Sequence, residues 1–427
     1  MSVPSCSRHI VHCNASDLHA GQGYVRSVRL DHLREQGGAL VCAEGEEEAA
    51  TLAATATNLW CIDDRIFVYD ATAQSVRRLS DGRVYPASEE VLRMVNLPET
   101  EGGDGIFALC AGLLYRYENS DSTATVFSPA PSVTNLVLHH ERLFGASGTQ
   151  IRYTAPMKFE SWKTFSEQGA GRCDLLPAGG DVVDVIAMRD RVYFLRQCGI
   201  TRLTGYADVY NFKLDDVPFG MGKIVSHAAV IGDCAYFFTE SGLCRFDGSS
   251  AGRAEGADDG EIDLTQPMRV ERAWGTALAA SVTLTDGSAA LYLYEPAFGR
   301  GRFVRRAFVQ FSAADSVVLM RAGKAYRLTG RALPEGGSCS CAAEFSLSAV
   351  GDGEKRLEAV YLSGAGSVRV EAFGPDGVRR ACEGEAGGWL DLAAGVRGET
   401  VTVRISSDDE EICVREIALR IRREGRV

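Results

Sequence analysis

Leu59-Trp-Cys-Ile-Asp-Asp-Arg-Ile-Phe-Val-Tyr69 is two apolar runs meeting at a polar turn, Asp64-Arg65. β-Branched and aromatic residues dominate both arms, which marks a hairpin of two strands. The unit returns at Ile106 to Tyr117 (turning at Gly112), Leu136 to Phe144, Val185 to Leu195, Ala229 to Phe238, Val282 to Tyr294 and Val317 to Leu328. From Arg65 to Gly323 a turn falls about every 43 residues, with gaps from about 30 to about 53. Propeller blades repeat every ~40–50 residues. The inner strands of a blade are covered on both faces by its neighbours, so they read as apolar runs broken only at the turn. Outer strands read more polar, as do Ser75 to Leu79, Thr123 to Phe127 and Phe303 to Ala307. A β-helix would repeat at shorter, more regular intervals, and stacked sandwiches would not copy one hairpin seven times. The expectation is an all-β chain with a six- or seven-bladed β-propeller. Tyr24 to Leu30 is the expected closing strand, because closure removes exposed sheet edges.

The pattern changes at Leu333-Pro-Glu-Gly-Gly-Ser-Cys-Ser-Cys341. Beyond it, apolar and polar residues alternate over Ala343 to Val350, Arg356 to Ser363, Val368 to Phe373, Trp389 to Ala393, Thr400 to Ser406 and Cys413 to Ile421. Turns intervene at Gly351-Asp-Gly353, Gly374-Pro-Asp-Gly377 and Ser407-Asp-Asp409, so this part reads as a small antiparallel β-sandwich. The expected domains are a propeller over 1–335, with 1–35 an N-terminal arm or closing strand, and a sandwich over 336–427. Helix signals are confined to Ser16 to Glu35 and Ser88 to Val95, the second opened by Ser88 with acidic residues behind it.

Composition narrows the function. The formal net charge of −12 argues against general nucleic-acid binding, which runs on Lys and Arg neutralising phosphates. The basic ending from Arg420 to Arg426 reads as a solvated edge strand. No apolar run approaches the ~20 residues of a spanning helix. Met1 to His9 lacks the apolar core of a signal peptide. The 13 cysteines are odd in number, irregular in spacing and set within apolar runs such as Trp60-Cys61-Ile62, so they read as reduced thiols in a cytoplasmic setting.

Candidate sites are weighed one by one. Cys6, His9, His12 and Cys13, with His19 and His32 downstream, are the most metal-like group, but lack a second pair at zinc-finger spacing and read as an unliganded arm. Cys339 and Cys341 read as hinge residues. Glu44 to Glu48 reads as a solvated charge block, and Asp258-Asp-Gly-Glu-Ile-Asp263 as a turn that lacks an EF-hand's positions. Gly220-Met-Gly-Lys223 misses phosphate-loop spacing, and no nucleophile elbow is present. His139-His140 reads as a packed or turn-capping pair. Trp162, Trp274 and Trp389 read as core aromatics, with Trp389, after Gly387-Gly388, the best lectin-like candidate. No catalytic, cofactor-binding or metal-ligating residue is assigned, and no cofactor is expected.

Between Leu136 and Gly248 the succession becomes specific. Val137-Leu-His-His-Glu-Arg-Leu-Phe-Gly-Ala-Ser-Gly-Thr-Gln-Ile-Arg-Tyr-Thr-Ala155 leads into Pro156-Met-Lys-Phe-Glu-Ser-Trp162. Val185 to Arg196, Gly199-Ile-Thr-Arg-Leu203 and Ala235-Tyr-Phe-Phe-Thr-Glu-Ser-Gly-Leu-Cys-Arg-Phe-Asp-Gly248 follow. This order resembles the propeller structural proteins of tailed bacteriophages and prophages, over about a quarter of the chain. Met157-Lys-Phe-Glu160 and Leu243-Cys-Arg-Phe246 depart from the pattern. The resemblance implies a non-enzymatic virion or tail subunit whose partners are neighbouring phage structural subunits, with self-association among the expectations. It also implies assembly in the cytoplasm, then residence in the particle, with the sandwich used for docking. The alternative is a glycan-binding or glycan-processing propeller with an accessory carbohydrate-binding sandwich.

Overall fold

The computed structural model describes residues 8–14, 26–31, 33–36, 39–42, 45–99, 104–127, 132–162, 169–205, 209–328, 341–347, 354–408 and 412–423. Seven antiparallel four-stranded units form blades 1 to 7 of a β-propeller: 56–86, 91–127, 135–174, 182–217, 229–253, 269–304, and 310–328 completed by Glu46–Thr51. Innermost strands begin 35 to 47 residues apart, a tighter period than the hairpin turns suggested. The reason is phase. Leu59 to Tyr69 joins the first and second strands of its blade, whereas Ile106 to Tyr117, Val282 to Tyr294 and Val317 to Leu328 join the second and third.

Each of the seven seams between blades holds its own apolar cluster. Phe67, Tyr69 and Tyr85 of blade 1 meet Ile106, Tyr115 and Tyr117 of blade 2. The last seam packs Val318 and Met320 of blade 7 on Leu59, Cys61 and Val68 of blade 1. Phe67, Phe107, Phe144, Phe194 and Phe237, on the second strands of blades 1 to 5, are fully buried. Each contributes about 1.5–3 kcal/mol of transfer free energy. A blade hides these side chains only with a neighbour on either side, which is why the ring closes.

Closure does not use Tyr24 to Leu30. The closing strand is Glu46–Thr51, antiparallel to Lys324–Leu328. Arg26–Asp31 instead lies between the outermost strand of blade 6, Arg300–Val304, and Cys341–Leu347. It thereby fuses blade 6 and one layer of the sandwich into a single nine-stranded sheet. The polar outer strand expected at Phe303 to Ala307 is instead Arg300–Val304, and all five of its residues are buried, because a strand is laid along its edge. Ser75–Arg78 is the third strand of blade 1, with Val84–Pro86 outside it.

The sandwich is built from both ends of the described chain. One layer runs Arg26–Asp31, Cys341–Leu347, Val401–Ser407, Ser367–Phe373, Arg379–Glu385. The other runs Leu33–Gln36, Ala39–Cys42, Cys413–Arg423, Lys355–Ala365, Trp389–Gly398, with Arg8–Asn14 also paired to Cys413–Arg423. Phe345, Val360, Val403 and Leu419 anchor the core between them. The propeller is thus an insertion in the sandwich, and the N-terminal arm belongs to the sandwich. The expected boundary at 335/336 lies outside the described residues. All six expected sandwich strands are present. Among the described residues the expected helical turns are not: Val91–Leu97 is the innermost strand of blade 2, and Arg26–Asp31 and Leu33–Gln36 are strands, while 16–25 lie outside the described residues. Ser88 is held by the Tyr115 hydroxyl rather than capping a helix.

Candidate functional site

Small and branched residues at the centre of the ring leave a channel of about 570 Å³, lined by the innermost strand of every blade. Val137, Ile186, Ala229, Val230, Val270 and Ala313 give it an apolar wall, while Arg93, Glu271, Arg272, Asp63 and Asp315 supply charge.

Near one end, buried and half-buried polar side chains cross five of the seven seams between blades. Asn58 (blade 1) donates from Nδ2 to Glu90 Oε1 at 3.0 Å, just ahead of blade 2. Asn135 (blade 3) donates to the Val183 carbonyl of blade 4 at 3.2 Å. Asp184 (blade 4), fully buried, accepts the N–H of Ala228, just ahead of blade 5, and its own neighbour's N–H from Val185, both at 2.9 Å. Glu271 (blade 6) accepts the Ser312 hydroxyl at 2.7 Å and the Ala313 N–H of blade 7. Ser312 (blade 7) accepts the Cys61 N–H of blade 1 at 2.8 Å. Asn58, Arg93 and Asp184 sit at register shifts in their innermost strands, where a bulge frees a side chain to reach sideways. Innermost strands of neighbouring blades share no backbone ladder, so these side chains supply the polar links between them.

The seam where the ring closes carries further clamps. Arg269 of blade 6 reaches past blade 7, donating to Asn58 Oδ1 and to the Leu59 carbonyl, both at 3.1 Å, and lying over the Trp60 ring at 4.1 Å. Its guanidinium is held by Glu271 at 2.5 Å. Glu46, expected to be part of a solvated charge block, is buried in the closing strand and paired with Arg306 at 3.1 Å and with Arg321. Glu47 and Glu48 beside it are exposed, and Glu44 lies outside the described residues.

The electrostatics follow from these contacts. Burial pushes the Asp184 carboxyl up, but the Arg93 charge and His227, whose Nδ1 is 3.3 Å away, more than offset it and hold the carboxyl at about 2. Burial raises Cys61 to about 12 and Cys110 to about 11, leaving both as protonated core thiols. His139, buried in the first hairpin of blade 3, is lowered to about 4 by burial and by His140, whose ring centroid is 4.1 Å away. The carboxylates of Asp184 and Glu271 are thus engaged with backbone N–H groups of the next blade's strand or its lead-in, Glu271 also with Arg269.

The other sequence candidates scatter. Asp259 forms a two-point ion pair with Arg253 and accepts Leu243 N–H at 2.5 Å, while Asp263 caps its own turn through Thr265, so that acidic loop is internally bonded. Lys223 follows Gly222 in the connection between blades 4 and 5, where its N–H meets Glu240 at 3.4 Å. Cys341 is a sandwich core residue whose thiol donates to the Ser407 carbonyl at 3.4 Å. Cys6, His19, His32 and Cys339 lie outside the described residues, and His9, His12 and Cys13 are described only as backbone of a strand. Among the described residues no three His, Cys, Asp or Glu side chains converge as a metal site would require. Trp162 is core and Trp274 packs against the core between blades 6 and 7. Trp389 is 38% exposed on the outer face of the sandwich, beside Tyr361 at 5.5 Å and under Arg420 at 4.3 Å.

No family model matches the sequence, and no curated protein is similar to it. Solved structures similar to it include the extracellular domain of a putative hybrid two-component system from B. thetaiotaomicron, at 12% identity over 82% of this chain and 46% of that one, TM-score 0.47. The Pan2 WD40 domain of Neurospora crassa is similar at 10% identity over 67% and 94%, TM-score 0.41. BBS1N, solved in complex with ARL6DN, is similar at 8% over 70% and 98%, TM-score 0.43. These scores are low, and the propeller assignment stands on the sheet order and the seven seam cores.

Proposed function

We propose that the chain is a non-enzymatic structural subunit of the phage or prophage particle type, working by contact with neighbouring protein subunits. The observation that carries this reading is the use of two acids of the innermost strands: the fully buried Asp184 and the half-buried Glu271 are committed to fastening one blade to the next. The ring is therefore braced as a rigid body, and its loops are what it offers to others. Met157, Tyr210 and Phe298 lie on loops between the third and fourth strands of blades 3, 4 and 6, which open on the same end of the ring, and Tyr210 is 93% exposed. Exposed large side chains on a stiff frame suit protein contact. Density-gradient fractionation of particles from an induced producer strain tests the role. The chain is expected in the particle band by mass spectrometry, and its confinement to the soluble fractions would overturn the reading.

A second reading, glycan binding, is favoured by one feature: Trp389 with Tyr361, Asp391 and Arg420 on one sheet face. An aromatic ring flanked by charged hydrogen-bonding groups suits a sugar. Arg420 occupies one ring face, so a sugar would need the other. Array binding lost in Trp389→Ala would support this reading, and an array without signal would remove it.

A further inference from the structure

Arg379–Glu385 is the last strand of the nine-stranded sheet. One edge pairs with Ser367–Phe373, from Phe373↔Arg379 to Ser367↔Glu385, over seven residues with no register shift. Among the described residues no strand pairs with the other edge. Five of the seven residues are exposed, Cys382 and Gly384 being half-buried. Proteins usually blunt such an edge with charged side chains, a proline or a bulge. This strand has neither proline nor bulge, and its charges are ordered: Arg379 and Arg380 at one end, Glu383 and Glu385 at the other.

That order decides between partners. A parallel copy would set arginine against arginine and glutamate against glutamate. An antiparallel copy sets Arg379 against Glu385 and places Arg380 and Glu383 opposite the uncharged Gly384 and Ala381. We propose that two copies of this chain pair edge to edge through Arg379–Glu385, antiparallel about a two-fold axis at Cys382. All seven residues then find partners: Arg379 faces Glu385, Arg380 faces Gly384, Ala381 faces Glu383, and Cys382 faces its own copy. Residues of equal parity meet, so exposed faces stay exposed and half-buried faces stay half-buried.

The edge is ordered before a partner arrives. Arg369 holds Glu383 at 2.7 Å and Glu371 at 3.1 Å, and Arg379 is bonded to the same Glu371. Glu385 is exposed and has no ion-pair partner among the described residues. The pairing adds Glu385 of the second copy to a preformed Arg369–Glu371–Arg379 network, so little side-chain freedom is lost on association. Two nine-stranded sheets become one sheet of eighteen. This pairing is independent of the particle role: a monomer that bands with particles refutes the pairing alone, and a dimer that stays soluble refutes the role alone.

Sedimentation velocity of the full chain from about 1 to about 50 μM, micromolar Kd values being ordinary for modest interfaces, is expected to show a monomer–dimer equilibrium that weakens with added salt. Arg379→Glu with Arg380→Glu, and separately Glu383→Arg with Glu385→Arg, should each raise Kd at least about 100-fold, since like charges oppose across the axis. The fourfold swap should restore it, because opposite charges face again. Hydrogen exchange on the unaltered chain guards against variants that fold poorly: amides of 379–385 should exchange more slowly at high concentration than at low. A monomer throughout that range, a dimer indifferent to charge reversal, or exchange at 379–385 independent of concentration would overturn the proposal.

Discussion

Asp184→Asn removes the charge of a fully buried acid while keeping its shape, and two routes give the cost. The gap between about 2 in the folded chain and the ordinary 3.8 corresponds to about 2–3 kcal/mol at ~1.4 kcal/mol per tenfold. Independently, Asp184 accepts two N–H groups, from Val185 and Ala228 at 2.9 Å. An asparagine keeps one acceptor and turns an NH₂ toward the other N–H, stranding a buried donor at about 1–3 kcal/mol. Both routes meet near 2–3 kcal/mol. The pH dependence has a definite sign. A depressed folded pKa contributes its stability in full above the unfolded value of ~3.9 and loses it as pH falls through the folded value. Urea midpoints of the native chain and the variant should therefore differ at pH 7 and converge between about pH 4 and pH 2. Every other acid titrates in both proteins, so the difference reports Asp184. Coincident midpoints at pH 7, or an offset that persists unchanged through the acid window, would refute the reasoning.

Three further outcomes are expected. Glu46→Ala strands Arg306 and Arg321 against the closing strand; with Arg321 partly solvated, the cost should be about 2–3 kcal/mol, and hydrogen exchange should speed up first in 46–51 and 324–328. Arg269→Ala removes the clasp over Trp60 and the bonds to Asn58 and the Leu59 carbonyl, lowering stability by about 1.5–3 kcal/mol and making the Trp60 fluorescence more accessible to acrylamide. Cys198 is exposed whereas Cys61 and Cys110 are buried protonated thiols, so iodoacetamide at neutral pH should label Cys198 in the folded chain and reach the other two only on denaturation, as read by peptide mass spectrometry.

What could be read without coordinates follows from where side chains are buried. Strands covered on both faces must be apolar throughout, so Leu59 to Tyr69 and Val185 to Leu195 announced themselves as hairpins. Their phase did not, because a second-to-third-strand hairpin such as Ile106 to Tyr117 is equally apolar. Glu46 was misread for a physical reason: its carboxylate is neutralised by Arg306 and Arg321, which are close only once the ring has closed. Arg379–Glu385 escaped notice because an edge strand with polar residues on both faces has no alternation to detect. The inter-blade fasteners did leave a trace. Asn58, Asn135 and Asp184 each stand immediately before an apolar run, Leu59, Leu136 and Val185, and an Asn or Asp recurring at the head of successive innermost strands is a pattern worth seeking in other repeat chains.

The pairing of Arg8–Asn14 with Cys413–Arg423 places Arg8 opposite Arg422. Tension drawn outward on Arg8 and Arg422 together therefore meets the rungs of a zipper singly instead of loading them all in shear. The outermost rungs part first, and the load reaches Asn14 and Glu416 last.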